Sequence, residues 1–156
     1  MRVALALYQP DIAQNTGTLL RLGACLDVTV HIIHPAGFPF SRASLRRAGL
    51  DYLDHAGYVE HSAYSAFERW LAENGRRLVL LTTKTGQSAY NAAYRPNDVL
   101  LLGRESAGVP HAIAEKAALC VRIPMRQHMR SLNVAIAGSM VLGEALRQTT
   151  AFGTLS

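Results

Sequence analysis

Asp98-Val99-Leu100-Leu101-Leu102-Gly103-Arg104-Glu105-Ser106-Ala107-Gly108-Val109-Pro110 is an apolar run that opens into a glycine-bounded turn. Between Asp98 and Gly103 no polar residue interrupts it. A strand that is apolar at every position has both faces buried, which marks a parallel sheet covered by helices on each side. Arg2 to Tyr8, Val28 to His34, Arg77 to Thr83 and Leu119 to Ile123 read the same way. Each is short, rich in Val, Leu and Ile, and bounded by Gly, Pro, Asn or Asp.

Helical signals lie between these strands. Asn15 is expected to cap a helix over 16–26, Ser41 one from Arg42 to Ala48, and Ser62 one from Ala63 to Glu73 that Asn74-Gly75 stops. Pro110 suits a first helical position, and a long last helix runs from about Leu132 to Gln148. The alternation predicts a doubly wound α/β fold: a mainly parallel sheet with helices on both faces. A single domain spans residues 1–156, with Thr149 to Ser156 as a loosely held tail. Ligands of such sheets sit outside the carboxyl ends of the strands, so the informative loops follow Tyr8, Thr83, Gly103 and Ile123.

Composition narrows the class. A chain of 156 residues buries roughly 70% of its unfolded surface, enough for one core. Charged or amide side chains break every apolar run well short of the roughly 20 residues a membrane span needs. The apolar start at Met1 to Tyr8 is too short for a signal peptide, and Gln9-Pro10-Asp11 follows it. The reading is a soluble, cytoplasmic protein. Cys25 and Cys120 lie in apolar segments without metal or disulfide spacing and are expected to be buried structural thiols. The six histidines form no metal pattern, so no metal is expected. Sixteen basic residues, fourteen of them Arg, stand against eleven acidic ones, giving +5. Such an excess fits a polyanionic partner, and it also fits a mere compositional bias toward Arg.

Several chemistries are excluded. Gly103 and Gly108 have phosphate-loop spacing, but Val109-Pro110 stands where Lys and Ser or Thr would reach a triphosphate. No GxGxxG follows the first strand, and no Ser sits in a GxSxG elbow.

Three constellations remain. In the first, Asn15-Thr16-Gly17-Thr18 with Arg21 could grip a phosphate at a helix start, or be a helix cap with a surface Arg. The second, Leu102 to Pro110, projects Glu105 from a tight turn and could equally be a plain connection. The third runs from Ile123 through Arg126 and Arg130 to Ser131-Leu132-Asn133, where free N–H groups open the last helix. Ser131, Ala135, Ser139 and Gly143 recur every four residues and form a small-residue face, suited to intramolecular packing or to a second subunit.

Taken in order, Asn15 to Arg21, Leu102 to Pro110 and Ile123 to Ala135, continuing to Glu144-Ala145-Leu146-Arg147-Gln148, resemble the three motifs of the SpoU family of SPOUT methyltransferases. The likeness includes Arg46-Arg47-Ala48-Gly49-Leu50-Asp51-Tyr52 and Leu81-Thr82-Thr83-Lys84. It is strongest with the small members that methylate the ribose 2′-oxygen of the wobble nucleotide, position 34, of tRNA. The resemblance implies a C-terminal trefoil knot, a homodimer that receives tRNA, and S-adenosylmethionine as methyl donor with S-adenosylhomocysteine as product. It places Leu81, Thr82, Gly103, Ile123, Met125 and Ser131 around the cofactor, and Asn15, Arg21, Glu105, Ser131 and Asn133 around the reacting hydroxyl. Arg21 would stabilise a phosphate or alkoxide, because a guanidinium is always protonated and cannot act as the base. Arg42, Arg46, Arg47, Arg126 and Arg130 would contact RNA.

Two positions depart from the family pattern: Arg104 stands where Pro is common, and Gly143 where a Tyr is common. Methylation of ribosomal RNA, or a non-catalytic RNA-binding dimer of the same fold, are the competing expectations.

Overall fold

The computed structural model describes residues 1–47 and 55–156. Six strands, β1 (Ala4–Tyr8), β2 (Val30–Ile33), β3 (Tyr58–His61), β4 (Arg77–Leu81), β5 (Asp98–Leu102) and β6 (Leu119–Val121), form one sheet in the order β3-β2-β1-β5-β4-β6. Every pairing is parallel. The helices are α1 (Ala13–Leu26), α2 (Arg42–Arg47), α3 (Tyr64–Glu73), α4 (His111–Lys116) and α5 (Val134–Gln148).

Strand geometry explains the layers, because successive side chains point to opposite faces. Leu5 and Leu7 of β1 join a core with Leu19 and Leu20 of α1, Leu45 of α2, and Val141, Leu142 and Leu146 of α5. Ala4, Ala6 and Tyr8 join a second core with Phe67 and Leu71 of α3 and Ile113 of α4. Helices therefore cover both faces, as the apolar strands require. Gly138 sets the closest approach of α5 to the sheet: a Cβ there would lie 2.7 Å from Leu102 Cδ1 and 3.3 Å from Leu19 Cδ2. The small-residue face does not act as one surface, since Ala135 is buried while Gly143 faces open space.

At the amino ends of the strands, Arg77 grips the buried Asp98 through Nε at 2.5 Å and Nη2 at 2.8 Å, and the Arg95 N–H adds a third bond at 2.8 Å. A bidentate, charge-assisted pair of this kind compensates for burying the carboxylate and pins β4 to β5.

Several expectations need correction. β3 lies where no strand is expected, because it is a four-residue edge whose Val59 and Glu60 are exposed, so its apolar signal is thin. The first helix begins at Ala13 with Ile12 at its cap position, so Asn15 sits inside its first turn and does not cap it. Ala63, not Ser62, precedes α3, whereas Ser41 Oγ does accept the Ser44 N–H at 3.1 Å. Position 48, the expected end of the second helix, lies outside the described residues. Pro110 is the cap residue of α4, one position earlier than expected. The expected tail instead forms a 3-10 turn, Ala151–Thr154, with Ala151 buried and Arg2 Nη1 donating to Thr154 Oγ1 at 2.8 Å. Cys25 is exposed, being on the solvent side of α1, and Cys120 is half-buried. Among the described residues no helix is long and apolar enough to cross a membrane.

Two of the six histidines, His31 and His61, form a buried pair. His31 Nδ1 and His61 Nε2 lie 2.9 Å apart, and the His31 ring stands 4.2 Å from that of Trp70. One nitrogen must donate and the other accept, so the contact does not survive protonation of both rings, and a charge on either is costly in this buried place. Burial, then the neighbouring His61 and Arg76, lower the His31 pKa from 6.5 to about 4. The unfolded chain binds protons in that window that the folded chain does not, so stability falls as pH drops through it. Urea unfolding should show a loss of about 3 kcal/mol between pH 7 and pH 4 from this group, and His31→Phe should flatten the slope.

Candidate active site

The register of the sheet brings the site together. Leu7, Leu102, Leu81 and Val121 fall in one row across β1, β5, β4 and β6, so four chain segments leave the sheet at nearly one height. Outside that row lies a cavity of about 920 Å³. Its walls are Leu80 to Lys84 after β4, Leu102 to Val109 after β5, Val121 to Ile123 after β6 with Met125, and Ser131 to Val134 at the entrance to α5. Ile12, at the cap position of α1, and Asn15 in its first turn complete it.

Each wall has a local cause. The turn after β5 closes through a pair of backbone bonds, Arg104 N to Gly108 O at 3.0 Å and Gly108 N to Arg104 O at 2.8 Å. Gly108 has a φ of 66°, and a Cβ on Gly103 would meet Gly108 Cα at 2.7 Å, so the turn needs both glycines. Asn133 caps α5: its Oδ1 accepts the N–H groups of Ala135 at 2.8 Å and Ile136 at 3.3 Å.

A hydrogen-bond chain links three of these segments. Asn133 Nδ2 donates to Asn15 Oδ1 at 3.1 Å, and Asn15 Nδ2 lies 3.5 Å from Glu105 Oε1. Glu105 Oε2 accepts the Asp11 N–H at 3.1 Å, while Asp11 Oδ1 accepts the Glu105 N–H at 3.2 Å. Ser106 Oγ donates to the other Asp11 oxygen, and Arg104 Nη2 stands 3.6 Å from it. Burial, and then the bond to Asp11, raise the Glu105 pKa above the ordinary carboxylate range. The bond with Glu105, then Ser106 and Arg104, hold Asp11 below that range against the opposing effect of its own burial.

Of the residues singled out from sequence, Asn15, Leu81, Thr82, Gly103, Glu105, Ile123, Met125, Ser131 and Asn133 all line this cavity. Arg126 and Arg130 are exposed on the loop between two of its walls. Arg21 is not brought in: it is exposed on α1, beyond the cavity walls, because the inward face of the helix is made by Thr16, Gly17, Leu19, Leu20 and Gly23. Arg42, Arg46 and Arg47 are exposed on α2, away from the cavity, and the part of that motif after Arg47 lies outside the described residues as far as position 54. Sequence reasoning misses Asp11, although the loop after the first strand is one of the four it points to. Asp11 lies behind the wall, bonded to the turn after β5, while Lys84, His111 and Arg122 stand on the walls themselves. Among the described residues no cluster of three or more His, Cys, Asp or Glu could hold a metal ion.

The model of the SpoU rRNA Methylase family matches residues 2–143. A curated relative from Ancylobacter novellus, named tRNA (cytidine(34)-2′-O)-methyltransferase, is 56% identical over 152 residues, covering 97% of this chain and 96% of the relative. A solved structure described as structural insights into the 2-OH methylation of C/U34 on tRNA superposes with a TM-score of 0.87 at 39% identity, covering 94% of this chain and 95% of that one. An AdoMet-bound rRNA methyltransferase from Sinorhizobium meliloti superposes with a TM-score of 0.83 at 27% identity, over 94% of this chain and 56% of that one.

Asn133 carries two separable tasks. Asn133→Ala should lose the cap and destabilise the fold by about 1 kcal/mol. Asn133→Asp keeps the accepting oxygen, so chemical denaturation should find it close to the parent even though it no longer donates to Asn15.

Proposed function

The chain belongs to the SpoU rRNA methylase family, and on that premise we propose that it methylates the ribose 2′-oxygen of the nucleotide at position 34 of tRNA, with S-adenosylmethionine as donor. The observation that carries the reading is the joining of Asn15, Glu105 and Asn133 by hydrogen bonds in the wall of a cavity at the strand ends. The relatives whose names specify nucleotide 34 set the substrate.

The cavity fits the donor. Ligand pockets hold roughly 300–1,000 Å³ and combine apolar walls with a few placed polar groups, and here Leu81, Ile123 and Met125 provide the former, Thr82 and Ser131 the latter. Gly103 keeps one wall free of side-chain bulk. When bound, S-adenosylmethionine supplies a sulfonium methyl, which ends on the ribose oxygen while S-adenosylhomocysteine remains. The protein has to align the hydroxyl with that methyl and take its proton. Asn15, Ser131 and Asn133 orient the hydroxyl, and Glu105 takes the proton or orients the water that does so. Arg21, exposed beyond the cavity, stabilises charge as a phosphate contact. No metal takes part.

Residues 1–156 work as one domain in the cytoplasm, as a homodimer. The dimer reading is supported by Ile136 and Met140 on α5, which stay 53% and 39% exposed beside the groove that Gln14, Thr18 and Leu22 of α1 share with Ser139. A second copy would cover them. We also assign the trefoil knot, with the last helix threaded through the segment before β5. Its support is that this segment bonds to Arg122 through Gln87 and Ala89, and to Gln148 of α5 through Ala92 and Tyr94. Arg42, Arg46, Arg47, Arg126 and Arg130 bind tRNA phosphates.

Purified protein incubated with methyl-labelled donor and tRNA should place label on the ribose of nucleotide 34, read by nuclease mapping. Label only on ribosomal RNA, or no transfer while the donor binds, would reject the reading. The Arg42, Arg46 and Arg47 triple Ala variant should bind tRNA more weakly, with a log–log salt slope shallower by roughly two units.

A further inference from the structure

Two carboxylates meet behind the turn that walls the cavity, in an arrangement that tertiary contact alone creates. Asp11 and Glu105 are 94 residues apart, yet each accepts the other's backbone N–H, at 3.2 and 3.1 Å. Asp11 also takes the Ser106 hydroxyl and the Arg104 guanidinium, so its one carboxylate meets three consecutive residues of the turn after β5. Its own position is set firmly. Gln9, with a φ of 44°, turns the chain sharply out of β1, and the Gly37 N–H donates to Pro10 O at 2.8 Å. Gly37 presses so closely that a Cβ there would lie 2.6 Å from Asp11 Cβ.

We propose that Asp11 is the positioning residue of this site: it holds the turn carrying Glu105 so that the Glu105 carboxylate faces Asn15 and, through it, Asn133. Arg104, at the position where the family pattern has a rigid proline, is the counterpart of that lock in this chain. A proline there would fix φ but could not donate the N–H that Arg104 gives to Gly108 O; Arg104 keeps that bond and adds an ion pair with Asp11. The proposal rests on the methyltransferase reading, since positioning matters only if Glu105 serves the reaction.

The lock has an electrostatic consequence. A neighbouring negative charge disfavours ionisation of Glu105, in the same direction as its burial. Besides Glu105, the charged or titratable groups on the cavity walls are Arg104, Lys84, His111, Cys120 and Arg122, among the described residues. If the ionised form of Glu105 is the working form, turnover falls on the acid side of its pKa. Removing the Asp11 charge must then move that limb to lower pH.

The test compares the parent with Asp11→Asn, Asp11→Ala, Ser106→Ala and Glu105→Gln, measuring methyl transfer to tRNA against pH, donor affinity by calorimetry and thermal unfolding. Asp11→Asn is isosteric and should retain donor binding within about twofold, lower kcat about tenfold near neutral pH, and shift the acid limb by roughly one pH unit. Asp11→Ala should lower kcat further, Ser106→Ala only a few-fold, and Glu105→Gln should abolish the limb. The proposal is overturned if Asp11→Asn leaves both kcat and the limb unchanged, or if its losses follow thermal stability alone at every pH. Should Asp11→Ala fail to fold, Asp11→Asn and Ser106→Ala still decide the matter. Failure of the parent itself to methylate tRNA would reject the methyltransferase reading instead.

Discussion

The parallel pairing of β5 between β1 and β4 is the constraint from which the rest follows. Asp98 to Leu102 is apolar after its first residue and wholly buried, so it is stable only with a neighbour on each edge and a helix layer on each face. Asp98, the one polar group in it, is neutralised by Arg77 at the end remote from the cavity. That pairing also sets the register that brings Leu7, Leu102, Leu81 and Val121 into one row. The loops leaving that row have no choice but to converge, and their convergence is the site.

Placement of α5 completes it. The helix returns from the edge strand β6 to lie against α1, with Gly138 over Leu102. Asn133 thereby arrives beside Asn15, 118 residues away along the chain. The asparagine that begins α5 is at once its cap and a member of the hydrogen-bond chain, so helix formation and site assembly are coupled. The adjoining lock of Asp11 on Arg104, Glu105 and Ser106 sets the third member of that chain. Local stability and the shape of the cavity wall thus depend on the same few polar contacts.

Much of this is legible in the order of the residues. Five of the six strands among the described residues announce themselves as apolar runs, and the strand-end rule points to the loops that line the cavity. β3 escapes because an exposed edge strand carries little hydrophobic signal, and Asn15 passes for a cap because a cap and a cavity-lining asparagine look alike in sequence. Arg21 is the case the sequence places less directly: proximity along a helix to Asn15 does not translate into a place in the cavity wall, since six residues of α-helix turn a side chain well away from the starting face.

The sequence by itself determined the layers, the parallel sheet and the family, since burial of continuous apolar strands and ordered motifs are properties of neighbouring residues. Tertiary structure alone decided that Asp11 meets Glu105 and that His31 meets His61. It also decided that Cys25 faces solvent and that residues 151–154 are held. Each of these rests on contacts between distant segments or on the side of a helix that packing leaves open, and those depend on register and helix placement, which no local pattern encodes.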